Sequence, residues 1–190
     1  MNLHSPEQGR LLIALARNAI ASDFGEPSVD LPHPDWLDLP GAVFVTLTQH
    51  GDSSQNELRG CIGSLQAHRK LIDDLQANAR AAAFQDPRFP PLTHNELADT
   101  QIEVSILSAA EPMRFSSEAD ALAQLRPGID GVILEHGWHR ATFLPQVWEQ
   151  LPEARQFMAN LKRKAGLATD FWADDLQLSR YQVEKFKEER

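Results

Sequence analysis

Cysteine is almost absent from this chain, since Cys61 is the only one in 190 residues. One cysteine cannot form an internal disulfide, which is typical of proteins from a reducing compartment, and we therefore expect the protein in the cytoplasm. No apolar run approaches the roughly 20 residues that a membrane span needs, so no membrane association is expected. The first eight residues also lack the basic stretch and apolar core of a signal peptide.

Basic residues are scarce relative to acidic ones. The chain has 18 Lys and Arg against 27 Asp and Glu, which gives a formal net charge of −9. Nucleic-acid binding depends on clustered basic side chains, and the only such run here is 162–164. The sequence therefore predicts no nucleic-acid partner. With 42% hydrophobic and 24% charged residues, the composition is that of an ordinary globular protein of one domain or two small lobes.

Hydrophobic periodicity predicts helices and strands in alternation, but without the rhythm of strand–helix–strand crossover units. The predicted helices are 5–21, 68–84, 117–125 and 153–164, and the predicted strands are 42–48, 58–65, 101–108, 131–135, 139–144 and 178–186. A polar turn is expected at 51–57. Neighbouring strands pair as hairpins in this arrangement, so the predicted fold class is α+β with antiparallel sheets.

The stretch from Leu58 to Gly63 is the most informative part of the chain. Side chains alternate along a strand, so Arg59 and Cys61 are expected on the same face. A guanidinium close to a thiol favours the reactive thiolate form. Gly60 and Gly63 weaken a strand interior, and such glycines mark a bulge or a close approach to the backbone.

Each of these residues also has a purely structural interpretation. A free cysteine is often a buried small hydrophobe, so Cys61 could simply be packed. Arg59 could end a strand by meeting a carboxylate. The proline-rich loop 86–92 presents Asp86 and Arg88, which could form a local turn contact. Glu103, on the polar face of its strand, is a surface residue unless that face borders a cleft, where it becomes a candidate acid or base.

Two histidines flank the predicted hairpin turn at 137–138. In that register His136 and His139 face each other. Zinc sites use three or four protein ligands, and the local sequence offers no third one. We therefore predict no metal site, and the sequence identifies no cofactor.

Several blocks of the chain, in order, resemble the AMMECR domain family. The hexapeptide Leu-Arg-Gly-Cys-Ile-Gly at 58–63 looks like the family's hallmark motif. Further similar blocks are Asp-Pro-Arg-Phe-Pro-Pro-Leu at 86–92, Ile-Glu-Val-Ser-Ile-Leu-Ser at 102–108, the segment 128–148, Lys-Ala-Gly-Leu at 164–167 and the segment 181–186. The resemblance therefore covers nearly the whole chain.

This resemblance implies an AMMECR-type α+β fold of two subdomains with antiparallel sheets, flanking helices and a cleft between them. The large subdomain is expected at about 1–111 plus 173–190 and the small one at about 112–172. The hexapeptide is expected to face the cleft. Bacterial and archaeal members are known as the A component of the AmmeMemoRadiSam gene system, and their biochemical activity is not established.

The expected site combines the motif with the neighbouring blocks. Cys61 is the candidate nucleophile or redox thiol, with Glu103 as a tentative acid or base. The candidate substrate-binding residues are Leu58, Arg59, Gly60, Ile62, Gly63, Asp86 and Arg88. The resemblance implies an enzyme or enzyme component that works with a Memo-type and a radical-SAM protein. The alternative is a non-catalytic binding module or scaffold whose cleft grips a large ligand such as a protein segment.

Overall fold

The computed structural model describes residues 4–50 and 56–189. Within them, the α-helices are α1 (Pro6–Asp23), α2 (Leu71–Phe84), α3 (His94–Leu97), α4 (Glu118–Gln124) and α5 (Ala154–Lys164). The strands are β1 (Pro40–His50), β2 (Asn56–Gly63), β3 (Arg69–Lys70), β4 (Thr100–Leu107), β5 (Glu111–Pro112), β6 (Gly131–His136), β7 (His139–Phe143), β8 (Gln177–Tyr181) and β9 (Val183–Lys187). Two short 3₁₀ helices lie at Asp35–Asp38 and Pro145–Glu149.

The strands form two sheets. The first has the order β2-β1-β4-β9, with β3 paired to β1, and the second has the order β5-β8-β6-β7. The pairs of β1 with β2 and β4, and those of β6 with β7 and β8, are antiparallel. The predicted α+β class with antiparallel sheets is therefore confirmed.

The chain divides into two compact units. The first runs to Leu107 and resumes at Glu184, and the second covers Ser108–Val183. Each unit has its own hydrophobic core, the first built on α1, α2, β1 and β4 and the second on α4, α5, β6 and β8. The second unit contains the whole of the segment, about 112–172, for which the sequence predicts a smaller subdomain.

Local sequence explains where α1 begins. The Ser5 side chain accepts a hydrogen bond from the backbone of Gln8, and the Gln8 side chain accepts one from the backbone of Ser5. This reciprocal capping box, with Pro6 at the first helical position, satisfies backbone donors that a helix start leaves free. The predicted helix start is confirmed.

Alternation along β1 and β4 separates the two faces of the first sheet. Val43, Val45 and Leu47 of β1 are fully buried against the helices, as are Ile102 and Val104 of β4. The side chains between them lie on the opposite face, which carries the polar residues of the candidate site. The predicted inward and outward faces of β4 are confirmed.

The C-terminal segment differs from the sequence-based expectation. One strand was predicted at 178–186, but the structure has β8 in the second sheet and β9 in the first, separated at Gln182. The Gln182 backbone is instead hydrogen-bonded to Ser108. Hydrophobic alternation continues across the break, so the pattern contains no signal that the chain changes sheets.

Most of the polar turn expected at 51–57 lies outside the described residues. Among the described helices, none is both long and apolar enough to cross a membrane.

Candidate functional site

The register between β1 and β2 shifts at the centre of the hexapeptide. Leu47 pairs with Gly60 and Thr48 pairs with Leu58, so Arg59 is left without a partner in the ladder. An extra residue on one strand is a β-bulge, which locally disrupts the alternation of side chains. The bulge that the glycines predicted is therefore present, and it lies at Arg59.

Both glycines of the motif are needed for close packing. A Cβ atom at Gly60 would overlap the backbone carbonyl oxygen of Ala82 on α2. A Cβ atom at Gly63 would overlap the ring of Phe44 on β1. The side of β2 at Gly60 therefore packs directly on a helix backbone, as glycine in a strand interior often permits.

Arg59 is buried and bonded within the first unit. Its Nε donates to a Glu96 carboxylate oxygen at 2.9 Å, and its Nη1 donates to the Pro90 carbonyl at 2.8 Å. Hydrogen bonding from Arg59 to the carboxylate is the main cause that lowers the pKa of Glu96 from 4.5 to about 2, with hydrogen bonds from Thr93 contributing further. The structural alternative for Arg59, a strand residue that meets a carboxylate, is the arrangement observed.

Asp86 and Arg88 bind the backbone of Cys61. The Cys61 N–H donates to Asp86 Oδ2 at 2.8 Å, and Arg88 Nη2 donates to the Cys61 carbonyl at 3.2 Å. Arg88 also pairs with the buried Asp86 carboxylate at 2.7 Å. Hydrogen bonding from Arg88 holds the pKa of Asp86 well below its usual range. The predicted Asp86–Arg88 contact is confirmed, and it covers the outer edge of β2 in place of a further strand.

The Cys61 side chain lies at one end of a polar row across the sheet. Thr46 of β1 pairs with Cys61 on one side and with Glu103 of β4 on the other. The Thr46 hydroxyl donates to Cys61 Sγ at 3.2 Å, and the thiol is half-buried. Glu103 lies 3.9 Å from Lys185 Nζ. Two strand spacings separate Cys61 from Glu103, about 10 Å, which is too far for direct proton transfer between them.

The accessible cation beside Cys61 is Arg88. Its side chain is 52% exposed, whereas that of Arg59 is 10% exposed and bound to Glu96. The pKa of Arg88 is raised, mainly by its hydrogen bonds to Asp86, with a smaller contribution from Cys61. The thiol of Cys61 is therefore contacted by the Thr46 hydroxyl, and the backbone of the same residue by Arg88 and Asp86.

Leu58 and Ile62 lie at the two ends of this region. Leu58 is an exposed apolar side chain, at 42% of its full accessible surface. Ile62 is half-buried and packs against the core of the first unit. Leu58 and Arg88 are therefore the candidate binding residues with the greatest accessible surface.

Two residues of this arrangement were not singled out from the sequence. Thr46 is a common strand residue and gives no signal of its own. Glu96 does have a local signal, because Thr93 and Glu96 form a capping box at the start of α3. The signal predicts a helix start, but it does not predict that the same carboxylate also binds Arg59.

The hairpin histidines of the second unit face each other as predicted, since His136 and His139 are register partners. Their side chains contact different residues, however. His136 Nε2 lies 3.1 Å from Asp175, and His139 Nδ1 donates to the Ala165 carbonyl at 2.8 Å. In residues 4–50 and 56–189 no group of three or more His, Cys, Asp and Glu side chains is arranged to hold a metal ion.

One member of the basic run 162–164 has a different environment from its neighbours. Lys162 is fully buried, with its ammonium 2.6 Å from Glu118 and 5.4 Å from the ring centre of Trp172. A buried ammonium needs a partner of this kind, because an unpaired buried charge is costly. The run is therefore not a continuous exposed basic patch.

Comparison with known proteins gives one family. The family model described as AMMECR1 matches residues 13–186. A protein of Methanothermobacter thermautotrophicus is 40% identical over 97% of this chain and 96% of its own length. A protein of Methanocaldococcus jannaschii is 34% identical over 99% of this chain and 94% of its own length.

A solved structure is also similar. The crystal structure of an uncharacterised protein from Pyrococcus horikoshii covers 96% of this chain and 92% of its own, with a TM-score of 0.75 and 32% identity. At this level the similarity extends to sequence as well as to fold.

Proposed function

This chain belongs to the AMMECR1 family, and from that premise we propose that it is an enzyme or enzyme component with a reactive thiol at Cys61. The observation that carries the proposal is the hydrogen bond from the Thr46 hydroxyl to Cys61 Sγ, beside the exposed guanidinium of Arg88. Thiolates are the nucleophilic form of cysteine, and reactive cysteines are found in partly exposed surroundings with polar and cationic neighbours.

The other members of the motif support this choice by their contacts. Arg59 is bound to Glu96, Gly60 allows the approach of α2, and Gly63 allows the packing of Phe44. Cys61 is therefore the one side chain of the hexapeptide that is both chemically reactive and left for a ligand.

We propose that, of the two arginines among the candidate substrate-binding residues, Arg88 and not Arg59 binds an anionic group of the ligand. Its side chain is exposed, and its orientation is fixed by Asp86. Leu58 would add an apolar contact to the same ligand. Glu103 lies on the same sheet face but about 10 Å from the thiol, so it would act on a different part of a substrate from Cys61.

Thiol alkylation tests the proposal, because Cys61 is the only cysteine and the label therefore reports on one site. We expect native protein to react with iodoacetamide at neutral pH. Arg88→Gln and Thr46→Val should each slow the reaction about three- to tenfold, since each removes a polar group that contacts Cys61. Arg80→Gln, at another surface arginine, and Thr48→Val, on the same strand, are the matched controls and should leave the rate unchanged.

The second candidate function is a non-catalytic binding module or scaffold. The observation that favours it is that Arg59, the Cys61 backbone and both glycines of the motif are held by contacts within the first unit. These contacts make β2 a fixed surface around a half-buried thiol. A native thiol that resists alkylation and reacts only after unfolding in urea would contradict the reactive-thiol proposal and support this one.

We also propose that the protein acts in the cytoplasm with a Memo-type and a radical-SAM protein. The support is family membership together with the gene system that the motif resemblance implies. Purified components should associate in size-exclusion chromatography, or the presence of this chain should alter the activity of one of the others. Neither effect, with all three proteins folded, would contradict the partnership while leaving the thiol proposal standing.

A further inference from the structure

A cavity of about 550 Å³ lies between α1 and β9, away from the Cys61 motif. On the helix side it is lined by residues at helical spacing, among them Pro6, Arg10 and Ile13, and on the strand side by the consecutive residues 185–189. Side chains alternate along a strand, so an uninterrupted run of lining residues means that the edge of the strand, including its backbone, forms the wall.

β9 is the terminal strand of the first sheet and pairs only with β4 in the described part of the chain. The Glu188 N–H donates to the Ile102 carbonyl of β4, and the Glu188 carbonyl accepts from the side-chain amide of Gln101 on the same strand. Because the backbone groups of successive strand residues point in opposite directions, those of Lys185 and Lys187 point to the outer edge. They are positioned to pair with an additional strand.

The floor of the groove is apolar. Phe186 packs so closely on α1 that a Cβ atom at Gly9 would overlap its ring. Ile13 and Ala14 of α1 line the cavity beside it. An extended segment lying along β9 could therefore bury alternate apolar side chains on the face that Phe186 occupies.

The charge of the groove is opposite to that of the whole protein. Four cationic residues line it against two acidic ones, in a chain with a net charge of −9, and one of the four, Lys185, also lies 3.9 Å from Glu103. One pair, Arg17 and Glu188, is joined by two hydrogen bonds of 2.8 and 2.6 Å. Arg10 and Lys187 are exposed and have no ion-pair partner among the described residues. The groove therefore favours an acidic occupant.

We propose that this groove binds an extended acidic segment of another protein, which adds to the sheet as a strand beside β9. Backbone hydrogen bonds at Lys185 and Lys187 would supply affinity, and the two lysines on one face would select acidic residues at every second position. Edge lysines also discourage pairing of identical strands, so a second copy of this chain, with the same lysines, is a poor occupant.

The probe is the fluorescently labelled peptide Glu-Val-Glu-Val-Glu-Val, whose carboxylates and valines alternate as the groove requires. We expect saturable binding by fluorescence anisotropy, with slower amide exchange at Lys185 and Lys187. Lys187→Glu should weaken binding at least about tenfold by reversing one charge. Lys70→Glu, an exposed lysine of the same unit outside the groove, should leave the affinity unchanged.

Two matched peptides distinguish strand addition from general attraction between charges. The same sequence N-methylated on alternate residues keeps its charge but loses donors needed for pairing, and it should not bind. Lys-Val-Lys-Val-Lys-Val should not bind either. Equal binding of the methylated peptide would overturn the proposal, as would no binding of the unmodified peptide up to about 1 mM. Displacement of the peptide by decanoate, with no effect of Lys187→Glu on affinity, would also overturn it and would indicate a small amphipathic ligand. These measurements do not depend on the reactivity of Cys61.

Discussion

The carboxylate of Asp86 accepts a hydrogen bond from the backbone N–H of Cys61 at 2.8 Å, although the two residues are 25 positions apart. Asp86 is itself buried, and its charge is balanced by Arg88, which donates to the Cys61 carbonyl. Both backbone groups of Cys61 on the outer edge of β2 are therefore satisfied by one ion pair. The position of the thiol depends on a loop that precedes β4.

Replacing Asp86 should destabilise the first unit and loosen Cys61. In Asp86→Asn the Arg88 guanidinium loses its ionised partner. The new side-chain NH2 group is itself a donor, and it must lie next to the Cys61 N–H and the Arg88 guanidinium, which are also donors. We expect a loss of about 2–3 kcal/mol in the free energy of unfolding, because hydrogen bonds to charged groups contribute about that much. Urea unfolding measures it, with Asp30→Asn at an exposed site as the control. A loss no greater than that of the control would show that the contact contributes little.

Arg59 should behave as a structural residue. Arg59→Lys keeps the positive charge but cannot bridge Glu96 and the Pro90 carbonyl in the same fixed geometry. We expect the free energy of unfolding to fall by about 1–2 kcal/mol, since the Glu96 carboxylate and the Pro90 carbonyl lose donors and solvent screens part of the effect at the half-buried carboxylate. The control is Arg10→Lys, which changes the same chemistry at an exposed site. If Arg59 served mainly to bind ligand, Arg59→Lys would instead retain wild-type stability.

Local signals were sufficient to predict much of the fold. The capping box at Ser5 predicts the start of α1, and alternation at Ile102 and Val104 predicts the buried face of β4. Both depend on residues close in sequence, whose physical preferences act over a few positions. The contact between Asp86 and Arg88 was predictable for the same reason.

The partners of the motif could not be predicted in the same way. Glu96 lies 37 positions from Arg59, and the bulge at Arg59 changes the direction in which its side chain leaves the strand. Strict alternation placed Arg59 with Cys61 and gave no sign of Arg88 as the accessible cation. The role of Thr46 depends on strand pairing, which the alternation of single strands does not specify.

Gly60 should tolerate no side chain. In Gly60→Ala the new methyl group meets the carbonyl of Ala82, a backbone atom that cannot move without distorting α2. We expect a loss of about 3 kcal/mol, at the upper end of overpacking effects. Gly25→Ala is the comparison, because that site has open space and only a positive φ of 82°, and it should cost about 1 kcal/mol. Similar losses at the two sites would mean that β2 can shift away from α2.

The charge balance predicts weak binding to nucleic acid. Lys162 of the basic run is buried on Glu118, which leaves only Arg163 and Lys164 of that run for phosphate contacts. We expect dissociation constants above about 10 μM for duplex DNA and RNA at physiological salt. Electrophoretic mobility shift with a basic DNA-binding protein as positive control measures this. Submicromolar binding that weakens steeply with added salt would contradict the prediction.

Acid should weaken the contact between Arg59 and Glu96 within a defined pH range. Arg59 lowers the pKa of Glu96 from 4.5 to about 2 in the folded protein. Above pH 4.5 the carboxyl is ionised in both the folded and the unfolded chain, so the contact contributes its full stabilisation. As the pH falls below 4.5 the unfolded chain takes up the proton first, and the contribution is lost progressively until about pH 2.

Urea unfolding between pH 7 and pH 2 tests this with Glu96→Gln as the partner variant. The wild-type free energy of unfolding should fall more steeply below pH 4.5 than that of Glu96→Gln, which has no proton to take up at this site. The Glu96 side chain is 32% exposed, so we expect solvent screening to limit the difference to about 1–2 kcal/mol. Asp86 also has a lowered pKa but is present in both proteins, so its effect cancels in the comparison. Parallel curves for the two proteins would mean that the ionised form of Glu96 does not stabilise the loop that holds Arg59.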